Sequence, residues 1–200
     1  MNNELRLHLY LESIHFNTTS AMLYINYVSS VMKDGSATGP RFQMRKTDAR
    51  LVLDAMQQIV THAGAVSRFL WPTSKNATAR GEELRRLLQI PVGSPLETRG
   101  LRNDLEHFDE RLDVFVENWS DGFLQSEYVG PSVPNRKVIM HHFRAYLTDT
   151  TIFEILGKQY DLQPLAYAIV DLHKKLEELI ADYEKRTRKP ARQQGRNIQR

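Results

Sequence analysis

The chain of 200 residues contains no cysteine, and this absence excludes disulfide bonds, cysteine-ligated zinc sites and cysteine nucleophiles. It also contains no run of about 18 consecutive apolar residues, so the sequence predicts no membrane-spanning helix. The first residues lack the basic start and the apolar stretch of a secretory signal. Together these absences lead us to expect a soluble, cytoplasmic protein.

No glycine-rich phosphate-binding loop and no serine-hydrolase elbow occur in the sequence. His141 and His142 are neighbours in the chain and would point to opposite faces of a strand, so they are poor joint metal ligands. Four further histidines lack a nearby carboxylate pattern typical of metal sites: His8, His15, His62 and His173. The sequence therefore predicts neither a metal site nor a cofactor.

Charge is unevenly distributed along the chain, although the formal net charge is only +3. Residues 185–200 contain no acidic residue and seven basic ones: Lys185, Arg186, Arg188, Lys189, Arg192, Arg196 and Arg200. We therefore divide the chain into one domain over 1–185 and a basic tail over 186–200, which its composition predicts to be disordered. Such a tail is either a solvated end or a segment that binds an RNA backbone by releasing counterions.

Four segments carry apolar residues at alternating spacings of three and four, the period of an amphipathic helix. They cover 14–32, 52–70, 101–119 and 165–183, and a shorter helix is predicted over about 78–89. Stripes this regular on four long segments are typical of helices that pack at shallow angles. The predicted fold class is therefore all-α, a helical bundle, while residues 4–11 fit either a strand or a helical extension.

The stretch from about 120 to 160 interrupts the helical pattern with several turn signals. Its second half is rich in β-branched and aromatic residues, which favour strands. We expect a small hairpin formed by about 142–147 and 151–156. The stretch is interpreted as an insertion between two helices of the bundle.

One predicted helix carries residues suited to chemistry on phosphate. Ser94 begins a capping box with proline at the first helical position, so we expect a single helix over about 95–118. Arg102, Asn103 and His107 lie on it. An arginine binds a phosphate through its charged fork, and a histidine moves protons near neutral pH.

Helical geometry separates the two charged residues of this motif. At about 100° per residue, Arg102 and His107 lie on opposite flanks of the apolar stripe, so one chain does not easily aim both at one phosphate. Asn103 lies four residues before His107, where its amide can orient the imidazole. Two chains related by a two-fold axis would bring both pairs into one cleft. The alternative is that these are ordinary surface residues with helical neighbours.

The motif resembles the signature of the HEPN superfamily: an arginine followed by a polar residue, and a histidine after four to six intervening positions. In this chain four residues separate Arg102 from His107, and Asn103 occupies the polar position. Proteins of that superfamily are all-helical and usually dimeric. Many are metal-independent ribonucleases of toxin–antitoxin, phage-defence or RNA-processing systems, and some are not catalytic.

The resemblance implies a composite site at a homodimer interface that cleaves RNA by attack of a ribose 2′-hydroxyl on the adjacent phosphate. His107 would serve as general base or acid, Arg102 would stabilise phosphoryl charge, and Asn103 would orient. The residues expected to bind RNA are Arg99, Arg111, Lys185, Arg186, Arg188 and Lys189. A cognate antitoxin protein is a further expected partner, and a membrane is not. The alternative function is a non-catalytic HEPN-like binding or scaffold protein.

Overall fold

The computed structural model describes residues 3–33, 44–132 and 139–187. Within these ranges the helices are α1 (Asn3–Met32), α2 (Lys46–Leu70), α3 (Thr78–Leu87), α4 (Gly100–Glu106), α5 (Phe108–Glu117) and α6 (Gln163–Thr187). The strands are β1 (Phe123–Gly130), β2 (Met140–Leu147), β3 (Ile152–Ile155) and β4 (Lys158–Asp161). None of the helices in these ranges is both long and apolar enough to cross a membrane.

The core lies where α1 packs against α2 and α6. α2 presents to it the apolar stripe that the sequence predicted, each residue at most 4% exposed: Val52, Met56, Ile59, Ala63, Val66 and Leu70. The neighbouring helices bury Ile14, Thr18 and Ala21 of α1 and Ile169, Leu172 and Leu176 of α6. Residues 4–11 belong to α1, so of the two alternatives for this stretch the helix is correct.

The prediction of an all-α fold is wrong, because β1 to β4 form a four-stranded sheet in the order β1-β2-β3-β4. The hairpin expected over 142–156 corresponds to β2 and β3, which pair antiparallel. β3 and β4 also pair antiparallel, whereas β1 and β2 run parallel. Consecutive strands joined by a short segment usually form an antiparallel hairpin, so a parallel pair was not expected from the sequence.

The turn between β3 and β4 explains why the fourth strand was missed. Ile155 and Lys158 are paired, so Leu156 and Gly157 form a two-residue turn, with φ values of 47° and 79°. Two-residue hairpin turns with positive φ at both positions are typically formed by Asn-Gly or Asp-Gly. Because leucine occupies the first position, the sequence lacks the pattern by which such a turn is recognised.

Polar contacts join the sheet to the helices. Arg50 of α2 donates two hydrogen bonds to the Glu127 carboxylate of β1, at 3.0 and 3.1 Å. Arg144 of β2 donates to Gln57 Oε1 of α2 at 2.7 Å, and its guanidinium lies 3.9 Å from the centre of the Phe108 ring of α5. The sheet is therefore attached to α2 and α5, next to the helix that carries the motif.

The prediction of one continuous helix over 95–118 is also wrong. Ser94 does cap a helical turn that begins with proline, but this is a short 3-10 helix that ends at Glu97. Thr98 then takes extended backbone angles, and α4 starts only at Gly100. A second break lies at His107, with φ −111° and ψ 37°. The capping signal was read correctly, but nothing local in the sequence marked the two interruptions.

Candidate functional site

Arg102 lies in the first turn of α4, and its side chain packs along α2. A Cβ added to Gly64 of α2 would lie 2.5 Å from Arg102 Cδ, so the two helices approach closely here. Nη2 donates to Asn103 Oδ1 at 3.2 Å, and Nε lies 3.7 Å from Glu106 Oε2. The side chain is 15% exposed, and its buried Nε makes no hydrogen bond. The arginine is therefore held in place with one N–H donor unsatisfied.

His107 lies at the break between α4 and α5, where its side chain is 55% exposed. Its Nδ1 is 3.5 Å from Glu110 Oε1. The backbone N–H of His107 donates to the Asn103 carbonyl at 3.0 Å, but the Asn103 side chain contacts Arg102 instead. The imidazole is thus open to solvent and has Glu110 as its neighbour, not the amide of Asn103 expected from the helical spacing.

A cleft of about 120 Å³ opens beside Arg102, between α2, the segment before α4 and the start of α6. Arg102, Thr98, Tyr160 and Asp161 contribute polar groups to its walls. His107 is not among the residues that line it. Within one chain, the cleft therefore contains the arginine of the motif without the histidine.

Asp104, between the two motif residues, faces the sheet. It is 8% exposed and lies 3.0 Å from Lys158 Nζ and 3.2 Å from Arg111 Nε, and it accepts a hydrogen bond from the Tyr160 hydroxyl. Burial alone would raise the pKa of Asp104, but the bonds from Tyr160 and Lys158 and the nearby charges hold it below its usual value. Burial and the bond to Asp104 raise the pKa of Tyr160. These ionic and hydrogen-bond contacts connect α4 to β4.

A second cleft, of about 270 Å³, lies between α5 and the sheet. Its lining combines the cations Arg111 and Lys158 with the aromatic rings of Phe115, Trp119 and His141. Trp119 remains 40% exposed and its ring lies 6.1 Å from the His141 ring. Cations beside exposed aromatic rings suit a ligand that has a phosphate and a planar base.

The other residues predicted to bind RNA are scattered. Arg99 donates to the Trp71 carbonyl at 2.6 Å. This hydrogen bond holds the Arg99 guanidinium at the end of α2. Lys185 and Arg186 lie exposed in the last turns of α6, with Lys185 3.5 Å from Asp182 Oδ1. Arg188 and Lys189 lie outside the described residues. Among the four described residues of this set, Arg111 lines the cleft between α5 and the sheet.

Sequence reading missed one group of side chains. His15 of α1 lies beside His173 and Glu177 of α6, and one potential ligand atom from each lies within 4.8 Å of the others. The two histidines were expected to have no carboxylate partner of metal-site type. Glu177 lies one helical turn after His173, which is a sequence signal, but only the packing of α1 against α6 brings His15 to this pair. By contrast, His141 and His142 have separate partners, the Asp121 carbonyl and the Glu154 carboxylate.

Arg102 and Glu106 therefore form a polar surface where α4 meets α2, and His107 lies at the exposed end of α4. On this surface Glu106 joins two arginines, with Arg68 Nη2 at 2.7 Å and Arg102 Nε at 3.7 Å. Comparison of the chain with protein-family models, curated proteins and solved structures found no match.

Proposed function

We propose that the chain is a HEPN-like, metal-independent RNA endonuclease of the cytoplasm, a toxin or defence effector whose site is assembled from two copies. The observation that carries this proposal is the state of Arg102. Its guanidinium is positioned by Asn103 and backed by Gly64, and Arg102 lines the cleft beside α2. A guanidinium held in this way can bind a phosphate through charge-assisted hydrogen bonds.

The chemistry needs a group that moves protons and a group that stabilises charge. His107 is exposed at the end of α4, where an RNA strand can reach it. It would take the proton from a ribose 2′-hydroxyl as that oxygen attacks the adjacent phosphate, and would return a proton to the departing 5′-oxygen. Arg102 would stabilise the charge on the phosphoryl oxygens. The products are a 2′,3′-cyclic phosphate and a 5′-hydroxyl.

The cleft between α5 and the sheet supports RNA as the substrate class. Arg111 and Lys158 are matched there by the single carboxylate of Asp104, so a positive charge remains for a phosphate. The exposed indole of Trp119 offers a flat face for a base. Stacking of one base on an aromatic side chain contributes about 1–3 kcal/mol without sequence preference.

Exposed apolar residues support a homodimer formed near the motif. Val114 and Val116 of α5 are both 54% exposed, and Trp119, which follows α5, is 40% exposed. Phe123 at the start of β1 and Ile139 just before β2 are 65% and 55% exposed. Exposed apolar residues are enriched on surfaces that associate. In the proposed dimer, a partner bound at this surface would supply its His107 to the Arg102 of the other copy.

Cleavage of RNA by purified protein tests the proposed reaction. Activity should persist in EDTA, spare 2′-deoxy substrates and leave a cyclic or 3′-phosphate end. His107→Ala should lower the rate about 10²–10⁴-fold, the usual contribution of a general acid or base. Arg102→Lys should also fail, since an ammonium does not reproduce the guanidinium fork. Arg86→Lys on the exposed face of α3 is the matched control and should cleave normally.

Mixing two inactive variants tests the composite site. Arg102→Ala and His107→Ala, combined as heterodimers, each retain the residue that the other lacks, so a site shared between copies regains activity. A site confined to one chain would stay inactive in the mixture. Light scattering at tens of micromolar supplies the second readout, and a strictly monomeric protein would rule the shared site out.

The second proposed function is a non-catalytic HEPN-like binding or scaffold protein. It is favoured by the acidic neighbours of the motif, since Glu106 lies beside Arg102 and Glu110 beside His107. These pairs lower the net charge presented to RNA. An intact dimer without cleavage of any RNA, together with binding of a protein partner such as a cognate antitoxin, would support this function over the first.

A further inference from the structure

We propose that His15, His173 and Glu177 form a binding site for a divalent transition-metal ion, with Zn²⁺ as the reference ion, between α1 and α6. One nitrogen of each histidine and one carboxylate oxygen of Glu177 lie within 4.8 Å of one another. This cluster is separate from Arg102 and His107, which lie on α4 and at its end. Its existence does not depend on the proposed ribonuclease activity.

The hydrogen bonds around Thr18 determine which nitrogen of His173 carries a proton. Thr18 Oγ1 donates to the His15 carbonyl at 3.0 Å, since a carbonyl can only accept. The same oxygen lies 3.2 Å from His173 Nδ1 and has no second proton to give. It must therefore accept from Nδ1–H, so neutral His173 has a bare lone pair on Nε2.

The bare nitrogen of His173 points toward the other potential ligands. His173 Nε2 lies 3.5 Å from Glu177 Oε1, and two groups that only accept do not bind each other. His15 Nε2 is also buried and makes no hydrogen bond. A cation held among these atoms would satisfy all three. The hydroxyl behind His173 matches the second-shell partner that metal-bound histidines usually have.

The donor set selects the kind of ion. Two imidazoles and one carboxylate suit zinc and its first-row neighbours, whereas calcium and magnesium prefer oxygen ligands. Two ligands of a tetrahedral zinc ion lie about 3.3 Å apart, from bonds of about 2.0 Å. Glu177 Oε1 is already 3.5 Å from His173 Nε2, and the side chain is 60% exposed, so it has room to adjust toward an ion. Three protein ligands leave the fourth position to water.

The rings of His15 and His173 lie close together, with centroids 5.1 Å apart and planes that differ by 2°. Because the nitrogen lone pairs of parallel rings do not converge, one ring must rotate for both nitrogens to bind one ion. Thr18, which bonds His173 from α1, is fully buried, so the backbone positions of the site are set by the core and not by a loop. A bound ion would join α1 to α6 and stabilise the folded chain by mass action.

His8 and Glu12 offer a matched control on α1. Their Nε2 and Oε1 atoms lie 3.6 Å apart at the same i, i+4 spacing as His173 and Glu177. Tyr183, not a second histidine, stacks on His8. If a helical histidine–glutamate pair were sufficient for binding, both pairs would take the ion equally.

The test uses the full chain without an affinity tag, stripped with a chelator and titrated with Zn²⁺ by calorimetry and by thermal unfolding. We expect one ion per chain and a higher Tm with zinc. Glu177→Gln and His15→Gln should each weaken binding at least about 10-fold, and Glu12→Gln should leave it unchanged. Thr18→Val should weaken binding about 10–100-fold while Thr18→Ser retains it.

Two results would overturn the proposal. One is the absence of saturable zinc binding at tens of micromolar protein. The other is equal binding by Glu177→Gln and Glu12→Gln, which would mean that Glu177 only pairs with His173. Because Glu177 is exposed, its substitution does not endanger folding, and the experiment remains decisive even if the Thr18 variants unfold. RNA cleavage is not a readout here, so a failed metal site leaves the ribonuclease proposal untouched.

Discussion

Asp104 illustrates how one buried charge attaches the motif to the sheet. Its carboxylate is bonded by Tyr160 and Lys158 of β4 and is paired with Arg111 of α5. A buried carboxylate is costly unless it is fully bonded, and removing one of its partners costs more than the pair contributes in net terms. The position of α4, and with it Arg102, therefore depends on these contacts.

Removing the Tyr160 hydroxyl should weaken the contact between Asp104 of α4 and strand β4. We expect Tyr160→Phe to lower the free energy of unfolding by about 1–2 kcal/mol at pH 7. Since the folded pKa of Asp104 is depressed, its contribution is present above the unfolded pKa near 3.8 and is lost as the pH falls through the folded value. The difference between variant and wild type should therefore shrink in strong acid, as measured by urea unfolding.

Tyr167→Phe is the matched control for this substitution. Tyr167 is 65% exposed and accepts only a 3.2 Å hydrogen bond from Gln163 Nε2. Its loss should change stability by less than about 0.5 kcal/mol. Equal losses for the two tyrosine variants would show that the bond to Asp104 contributes nothing special.

His62 links α2 to α1 in its neutral form. Its Nδ1 lies 3.1 Å from Asn17 Oδ1, and burial lowers its pKa below 6.5. Below pH 6.5 the unfolded chain takes up a proton that folded His62 resists, so stability declines as the pH falls toward the folded pKa. His62→Gln should reduce the loss of stability between pH 7.5 and 5.5.

The control for His62 is Thr61→Gln, on the exposed side of α2. It introduces a glutamine next to the same position without removing a titratable group. Unfolding by urea at the two pH values should give the wild-type difference for this control. A His62→Gln protein with that same difference would contradict the assigned role of the histidine.

Helix contacts depend on two glycines whose surroundings differ. A Cβ at Gly81 of α3 would lie 2.7 Å from the Leu70 carbonyl oxygen and 2.6 Å from the Pro72 ring. A Cβ at Gly64 of α2 would instead meet the side chain of Arg102. Backbone and a proline ring cannot move aside, whereas an arginine side chain can.

Alanine at the two positions should therefore have different effects. Gly81→Ala should cost about 1–3 kcal/mol of stability through overpacking, more than the ~1 kcal/mol that alanine gains in helix propensity. Gly64→Ala should change stability by less than about 1 kcal/mol, because the gain offsets the shift of Arg102. If the proposed reaction is correct, Gly64→Ala should lose RNA cleavage while remaining folded. Urea unfolding and the cleavage assay check both expectations, and a Gly81→Ala protein as stable as wild type would contradict the first.

The basic residues are unevenly distributed along the chain, and several of them follow the end of α6. Ending the chain after Thr187 keeps all of α6 and removes Arg188, Lys189, Arg192, Arg196 and Arg200. If this segment binds RNA, each lost phosphate contact should reduce the salt slope of binding by about 0.7. Replacing the same five residues by glutamine in the full chain separates charge from length. An unchanged salt slope in both variants would mean that the segment does not contribute to RNA binding.

Several elements were predictable because their signals are local. The stripe from Val52 to Leu70 has the helical period and makes up the buried face of α2. Trp71 and Pro72 marked its end, and α3 was expected close to where it lies. The strand pair over 142–156 was signalled by residues that favour strands on both sides of a turn.

Other features depended on contacts between distant residues. The breaks around α4 place Arg102 against Gly64 and Asp104 against Tyr160, and no capping signal at 98–107 foretold them. The all-α prediction is wrong because of the sheet. That sheet contains the parallel pair β1 and β2, and the leucine-containing turn adds β4 to it. Each is a case in which tertiary packing outweighs local propensity.

The sequence by itself determined where the long helices lie, which of their faces are buried, and that Arg102, Asn103 and His107 share one polar segment. These are properties of periodicity and spacing, which act within a few turns of chain. Only the tertiary structure decided that His107 ends a helix, that Asn103 serves Arg102, and that His15 meets His173 and Glu177. Such meetings depend on how α1 packs against α6, and packing is set by the shape of the whole core rather than by any neighbouring residue.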